Sequence, residues 1–255
     1  MIALLSPAKK LDATPLSRQL PCTQPMLKTD TSRLVSIAKR LSVPELQALM
    51  KLSPGLAQLN HERFQAFGAK STKQAGKPAM LLFAGDTYAG LRAWELDDDA
   101  CHYAQRHLLI LSGLYGLLRP LDIIQPYRLE MGSRLVTPRG TNLYQFWGKR
   151  IAQALNRCTS EDCAALVNLS SIEYFSAVDR ASLHAPVLTC VFKEGTERTS
   201  RVIGFSAKKA RGMMARFMID HRVTKPTDLR DFNASGYRYS SKQSTSDTLV
   251  FLRPR

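Results

Sequence analysis

Two short segments in the middle of the chain hold the polar side chains best suited to chemistry. Asp86 lies in the sequence Gly-Asp-Thr-Tyr, and Tyr127, Arg128 and Glu130 lie close together further along. Carboxylates beside an arginine and a tyrosine can take up protons or hold a polar substrate, and such groups are frequent at functional sites. We predict a polar pocket lined by these four residues, in which Arg128 and Glu130 form an ion pair. No hydrolase motif of the form G-x-S-x-G occurs, so the question of catalysis stays open.

A basic segment near the carboxyl end of the chain suits a different chemistry. Residues 206–217 read SAKKARGMMARF, and a rotation of about 100° per residue places Lys208, Lys209, Arg211 and Arg216 on one arc of a helix. The arc itself contains no acidic residue, so we predict a solvated basic stripe that contacts a phosphate backbone. Such contacts position a protein on DNA without reading bases. The alternative is an ordinary amphipathic surface helix.

Residues 43–67 predict two short helices joined by a turn that contains glycine. Ser42-Val43-Pro44-Glu45 matches a capping box, and Ser53-Pro54-Gly55 separates the two helices. In helix-hairpin-helix modules such a turn lets backbone N–H groups meet DNA phosphates, so Gly55 is a candidate contact. One glycine stands where two are usual, and Pro54 lacks an N–H group. A plain α-hairpin is therefore the alternative.

The overall charge indicates which class of partner these basic residues meet. The chain has 36 Lys and Arg against 21 Asp and Glu, a formal net charge of +15. Clustered positive charge attracts polyanions, so DNA is the leading partner. The alternative is that the positive charge is a general property of the surface that aids solubility. Lys9 is a further candidate contact because it follows a short apolar run that ends at Ser6-Pro7, and strand ends that open into loops often carry function.

Apolar runs and the segments between them predict the elements that position these residues. Alternation of strands and helices favours an α/β fold with a mixed sheet core and surrounding helices. No repeat or linker is present, so we predict one domain over residues 1–255, with a candidate helical subdomain at about 31–70. The predicted strands lie at residues 2–5, 79–84 (as a central strand), 108–111, 164–169, 187–192, 201–205 and 249–252.

The cysteines and histidines do not follow a metal-binding pattern. The five cysteines contain no C-x-x-C pair, and the five histidines lack H-E-x-x-H spacing, so we predict neither a metal ion nor a cofactor. The amino-terminal apolar run is too short for a secretory signal, and no stretch approaches the roughly 20 apolar residues of a membrane span. We therefore expect a cytoplasmic protein with reduced thiols and no membrane partner.

Several longer motifs occur along nearly the whole chain: Ser6–Lys9, Gly85–Leu91, Leu111–Gly116, Arg119–Asp122, Gln125–Gly132, Leu143–Gly148 and Ala207–Gly212. In residues and in order, these motifs resemble those of the YaaA family. The resemblance implies a cytoplasmic bacterial protein, induced by peroxide stress, that limits damage linked to free iron. It also implies DNA binding through a positive cleft, a fold particular to the family, and a helix-hairpin-helix element for which residues 43–67 are the candidate.

These observations predict a sequence-tolerant DNA-binding protein of the peroxide stress response. The alternative is an enzyme acting on a nucleotide or DNA base, glycosylase-like, in which a flipped base enters the pocket of Asp86, Tyr127, Arg128 and Glu130. A third interpretation is a small-molecule enzyme without a nucleic-acid role. The resemblance supplies no catalytic role for these four residues. The predicted DNA contacts are Lys9, Gly55, Lys208, Lys209, Arg211 and Arg216.

Overall fold

The computed structural model describes residues 1–16, 18–68, 76–159, 163 and 165–254. Residues 69 and 70 of the predicted helical subdomain and residue 164 of a predicted strand lie outside these ranges. The strands, in chain order, are β1 (Ile2–Leu5), β2 (Lys10–Leu11), β3 (Lys77–Pro78), β4 (Phe83–Ala84), β5 (Leu108–Ser112), β6 (Gly116–Leu118), β7 (Ile123–Ile124), β8 (Leu166–Asn168), β9 (Val187–Glu194), β10 (Arg238–Tyr239) and β11 (Thr248–Arg253).

Helices alternate with these strands along the chain. None of the described helices is long and apolar enough to cross a membrane. Short 3-10 turns occur at Ala93–Glu95, Arg180–Ser182, Pro226–Asp231, Ala234–Gly236 and Ser241–Gln243. The α-helices are α1 (Lys28–Ala38), α2 (Val43–Met50), α3 (Pro54–Ala66), α4 (Ala79–Leu82), α5 (Asp86–Leu91), α6 (Asp98–His107), α7 (Leu143–Trp147), α8 (Arg150–Cys158), α9 (Ile172–Phe175) and α10 (Gly204–Asp220).

Seven of the described strands form the main sheet, in the order β10-β11-β9-β8-β1-β5-β6. The five strands from β11 to β5 run parallel, and β10 and β6 pair antiparallel at the two edges. β1 is apolar and buried at all four residues, as expected for a strand inside a sheet covered on both faces. The predicted α/β fold with a mixed sheet core is confirmed.

The order of the strands changes direction at β1. From β1 the chain builds outward to β5 and β6, and it later returns to β8 on the opposite side of β1 and continues to β9. In open α/β sheets, ligands bind outside the carboxyl ends of the strands at such a switch point. The loops that follow β1 and β8, at residues 6–9 and 169–171, therefore flank the expected binding crevice.

Two of the predicted strands are wrong. Residues 79–84 do not form a central strand, because α4 occupies most of the run and β4, at its end, pairs with β2 in a small separate sheet. A short continuous apolar run carries no period that separates a buried strand from a buried helical turn. At residues 201–205, only Arg201 pairs with β9, through Glu194, and α10 already begins at Gly204.

Two glycines let the backbones of α5 and α10 approach closely. A Cβ atom on Gly90 would lie 2.1 Å from the carbonyl oxygen of Lys209, and one on Gly212 would lie 1.7 Å from the carbonyl oxygen of Thr87. These distances leave no space for a side chain, so the contact requires glycine on both helices. The close packing holds the start of α5, which carries Asp86, beside the first turns of α10.

The predicted helix pair is present as α2 and α3. The capping box is confirmed, since Ser42 Oγ accepts a hydrogen bond from the Glu45 N–H and the Glu45 carboxylate accepts one from the Ser42 N–H at 2.7 Å. The residue that needs a left-handed conformation in the turn is Lys51, with φ of 52°, and Gly55 lies in the first turn of α3. The DNA-binding form of this hairpin is not confirmed.

Candidate functional site

An open pocket of about 600 Å³ lies at the carboxyl ends of β1 and β8, and we call it the central pocket. Its walls come from the loop after β1, the start of α5, residues 127–130, the loop after β8 and one side of α10. The position agrees with the switch point of the sheet. The pocket brings together seven site residues to which the sequence assigns two different roles: Lys9, Asp86, Tyr127, Arg128, Glu130, Lys208 and Arg211.

The carboxylate of Glu130 is held by two cations on one wall of the central pocket. Its Oε1 accepts hydrogen bonds from Arg128 Nε at 3.1 Å and Nη2 at 2.9 Å, and its Oε2 lies 2.8 Å from Lys9 Nζ. The predicted ion pair between Arg128 and Glu130 is therefore confirmed. Because both carboxylate oxygens are engaged, this cluster links the loop after β1 to residues 127–130 and leaves Glu130 poorly placed to bind a ligand.

Tyr127 supports the same wall from inside the protein. Its side chain is buried, and its hydroxyl lies 2.6 Å from Ser112 Oγ. Burial raises the pKa of the Tyr127 phenol, so the hydroxyl stays protonated near neutral pH. These contacts suit a positioning role better than proton transfer to a ligand.

Asp86 is the carboxylate in the central pocket that has no partner within the described residues. It is exposed at the start of α5, and it forms neither a hydrogen bond nor an ion pair there. The other acidic groups of the pocket are engaged, since Glu173 Oε1 accepts a hydrogen bond from the Gly132 N–H at 3.0 Å. Asp86 can therefore accept hydrogen bonds from a ligand without first losing an internal contact.

Arg211 differs from the solvated residue that the helical arc predicts. The side chain is half-buried on α10, and its Nε is fully buried without a hydrogen-bond partner in the described part of the chain. Burial lowers the pKa of the Arg211 guanidinium, although arginine remains charged in proteins. The titratable group that interacts with it is Cys190, whose thiol pKa burial raises to about 12, so the thiol is neutral.

Lys208 is exposed on the same side of α10 as Arg211 and lines the same pocket. Lys10 lines the pocket from β2, and neither Lys10 nor Lys208 forms a hydrogen bond or ion pair within the described ranges. The central pocket thus presents three cations whose charge no carboxylate offsets by direct contact. This arrangement favours an anionic ligand.

Lys209 and Arg216 face a different part of the surface. Both line a second pocket of about 560 Å³ between α5 and α10. Arg216 is neutralised, because its Nε lies 2.8 Å from Asp220 Oδ1 and its Nη1 lies 3.6 Å from Glu95 Oε2. The prediction that no acidic residue offsets the basic arc is therefore wrong, since Asp220 borders it one turn further on and Glu95 reaches it from a neighbouring element. Lys209 is exposed and unpaired among the described residues.

The remaining predicted contact, Gly55, does not line the central pocket. It is exposed in the first turn of α3, its φ is not positive, and a Cβ atom there would have no described atom within 4 Å. The conformational freedom of glycine is therefore not required at this position. Its candidate role in DNA contact rests on the exposed start of α3 alone.

Some residues that complete the central pocket are not among the site residues predicted from the sequence. Ser6 Oγ accepts a hydrogen bond from the Ser171 N–H at 2.8 Å and joins the loops after β1 and β8. Ile172 follows at the start of α9, lines the pocket, and is 87% exposed. Both strands were predictable, and their carboxyl ends were the signal that would have identified these loops.

The residues that the structure describes do not form a recognisable metal site. No group of three or more His, Cys, Asp or Glu side chains in those ranges is arranged to hold a metal ion. Asp86, Glu130 and Glu173 share the central pocket, but two of them are engaged by other groups.

The chain is similar over its length to proteins of one family. Residues 1–243 match the family model described as "Peroxide stress protein YaaA". A UPF0246 protein of Dinoroseobacter shibae is 52% identical over 258 residues, which cover 100% of this chain and 95% of that protein. UPF0246 proteins of Phenylobacterium zucineum and Caulobacter vibrioides are each 50% identical over 256 residues, covering 100% of this chain and 96% and 100% of those proteins.

Proposed function

The chain belongs to the family of the peroxide stress protein YaaA, and from this premise we propose that it binds DNA without reading its sequence during the peroxide stress response. The family points to the stress response, and the basic side chains supply the DNA contact. A protein that binds the bacterial chromosome acts in the cytoplasm, which is where the proposal places this one.

One observation carries the proposal. Lys10, Lys208 and Arg211 converge on the central pocket, and no acidic side chain contacts them within the described ranges. Three unpaired cations gathered in one concave site attract an anion more strongly than the same charges spread over the surface, whereas Arg216 is offset by Asp220. Lys9 adds its exposed charge at the rim while it contacts Glu130.

The groove beside the central pocket extends the surface that DNA can follow. A neighbouring pocket of about 560 Å³ shares Lys10 and Asp86 with it and continues to Trp94, whose side chain is 61% exposed. Lysine and arginine bind phosphates through charge, and phosphates are the same in every sequence. The proposal is therefore one of backbone binding, helped by the net charge of +15.

The same chemistry suggests how DNA binding limits damage linked to iron. The unpaired groups of the pocket are mainly cations, which repel a ferrous ion and attract DNA. Protection then comes from occupying DNA or a repair intermediate, and not from chelating iron.

Binding of the wild-type protein to unrelated duplexes at a series of salt concentrations tests this function. We expect similar dissociation constants for all sequences and a linear fall of log affinity with log salt, with a slope of about −0.9 for each phosphate contacted. Absence of binding at low salt, or strong preference for one sequence, would reject the proposal.

An enzyme acting on a nucleotide or DNA base remains the second candidate. It is favoured by the unpaired carboxylate of Asp86 in a pocket that also carries free cations, since a carboxylate of this kind can act as a general base. Incubation with damaged DNA tests it: released base or strand scission by wild type, lost in Asp86→Asn, would establish the enzyme. Intact DNA in both samples would reject it.

A further inference from the structure

We propose that the central pocket takes up a single unstacked nucleotide unit, with its phosphate on Arg211 and Lys208 and a donor group of its sugar or base on Asp86. This inference rests on the proposed DNA binding and names the form of ligand that enters the site. The shared chemistry is a nucleoside bearing a phosphate, which comes either from DNA or from a free nucleotide.

Arg211 supplies the first step, because the fold leaves its guanidinium without a counterpart. Its Nε is buried and has no hydrogen-bond partner in the part of the chain described by the structure. A buried polar group without a partner is costly, and such groups in native proteins call for an explanation. The planar fork of a guanidinium matches the oxygens of a phosphate, so a phosphate bound in the pocket would satisfy it.

Lys208 adds a second charge at the spacing that a shared anion requires. It lies three residues before Arg211, and side chains three apart on a helix are neighbours. Both line the central pocket, and neither has an acidic partner in the described ranges. A phosphate with several charged oxygens can contact both side chains together.

Asp86 shows that the ligand is more than a phosphate. Its free carboxylate repels an anion and accepts hydrogen bonds only, so it requires a donor such as a hydroxyl or an amino group. The pocket therefore has a cationic side on α10 and an acceptor side on α5. A nucleotide carries an anionic end and a donor end on one molecule, whereas inorganic phosphate and a bare nucleoside each carry one of the two.

The shape of the pocket selects one unit and not a duplex. A volume of about 600 Å³ lies within the range of about 300–1,000 Å³ that is usual for small-molecule sites. A nucleotide within a duplex must leave the stack before it can enter such a concavity, as happens at enzymes that extrude a base. The duplex itself would rest on the basic rim.

Ile172 points to DNA as the source of the nucleotide. This side chain stands at the mouth of the central pocket with 87% of its surface exposed, so it contributes little to the core. Proteins that open a base step insert apolar side chains such as isoleucine between bases. An exposed isoleucine beside a nucleotide-sized pocket has the position needed to fill the space that an extruded base leaves.

Calorimetry with free ligands tests the site itself. We expect deoxyadenosine monophosphate to bind more tightly than inorganic phosphate or deoxyadenosine. Arg211→Met should weaken binding of the monophosphate about tenfold or more, the size expected for the loss of charged hydrogen bonds. Asp86→Asn should remove most of its advantage over inorganic phosphate. Equal binding of the monophosphate by wild type and Arg211→Met, or no binding by wild type, would overturn the proposal for free nucleotides.

A second arm measures the fluorescence of 2-aminopurine placed in a duplex, either at a single bulged position or at a paired position. The anisotropy of a label at the duplex end reports the affinity for the duplex in the same samples. We expect the protein to change the fluorescence of the bulged base, with loss of that change in Arg211→Met and reduction in Ile172→Ala. Val136→Ala is the matched control, because Val136 is 68% exposed and does not line the central pocket.

The two arms separate the possible results. Calorimetric binding without a fluorescence change supports the site and identifies free nucleotides as the source. A fluorescence change that Arg211→Met abolishes supports DNA as the source. If wild type binds the duplex but shows neither calorimetric binding of the monophosphate nor a fluorescence change, the nucleotide pocket is overturned and the proposed function stands. If wild type does not bind the duplex at all, the proposed function is rejected.

Discussion

At the scale of single residues, Arg211 holds a charge for which the fold provides no partner. Its buried Nε makes no hydrogen bond among the described residues, and an unpaired charge inside a protein costs stability. Residues kept for a ligand often carry such a cost, because binding requires them while folding does not. The contribution of Arg211 to stability is therefore expected to be separate from its contribution to binding.

We expect Arg211→Met to unfold at the same temperature as wild type or at a higher one, while it binds duplex DNA more weakly. Methionine keeps most of the apolar contacts of the arginine stem and removes the buried charge. Arg128→Met is the control, because it breaks the pair with Glu130 and should lower the melting temperature. Thermal unfolding followed by circular dichroism measures both. A lower melting temperature for Arg211→Met would mean that its guanidinium stabilises the fold.

The sequence was sufficient to predict some of these residue contacts and insufficient for others. Arg128 and Glu130 are two positions apart in an extended segment, so their pairing follows from local spacing. The burial of Arg211 depends on how α10 packs against the rest of the fold, and one partner of Arg216, Glu95, comes from a distant part of the chain. A helical projection gives directions around one axis and contains no information about neighbouring elements.

At the scale of elements, the contact of α5 with α10 sets the distance between the carboxylate and the cations of the central pocket. Gly90 and Gly212 permit this contact, since a Cβ atom on either would collide with backbone of the other helix. The glycines of this protein thus serve close packing as well as turns.

Gly212→Ala should therefore destabilise the protein. A Cβ atom placed 1.7 Å from the Thr87 carbonyl oxygen forces the two helices apart. We expect the free energy of unfolding to fall by about 1–3 kcal/mol after the structure relaxes. Each kcal/mol lowers the melting temperature by about 2–4 °C. Gly204→Ala is the control on the same helix, because no described atom lies within 4 Å of its Cβ position. Equal melting temperatures for the two variants would show that the helices do not meet as described.

The start of α3 carries a separate prediction. We expect Gly55→Val to leave the fold intact, since the Cβ position is open, and to weaken duplex binding if the exposed backbone of this turn contacts phosphate. Circular dichroism and duplex anisotropy measure the two effects. Unchanged affinity with an intact fold would remove the hairpin from the binding surface.

The sequence predicts elements best where a period or a cap is present. The capping box of α2 is as predicted because it has a specific local spacing, and β1 and β5 are strands as predicted although they are continuous apolar runs. The run at residues 79–84 is equally apolar but folds mainly as α4, because an apolar run without alternation does not separate a buried strand from a helical turn. The central pocket needed the order of the strands, which arises from pairings between residues far apart in the chain.

At the scale of the whole molecule, the net charge of +15 divides into compensated and uncompensated groups. Arg216 and Arg128 are paired with carboxylates, while Lys10, Lys208 and Arg211 have no such partner in the described ranges. These three share one pocket at the switch point of the sheet, which places unpaired positive charge where a ligand can enter.

The salt dependence of duplex binding in Lys208→Ala, compared with Lys225→Ala, tests this account most directly. Both changes remove one exposed lysine, but Lys225 does not line the central pocket. We predict that Lys208→Ala weakens binding to unrelated duplexes equally and reduces the slope of log affinity against log salt by about 0.9, the value for one lost phosphate contact. Lys225→Ala should leave the slope close to that of wild type. If Lys208→Ala keeps the wild-type slope, or if the two variants behave alike, the central pocket is not where DNA binds.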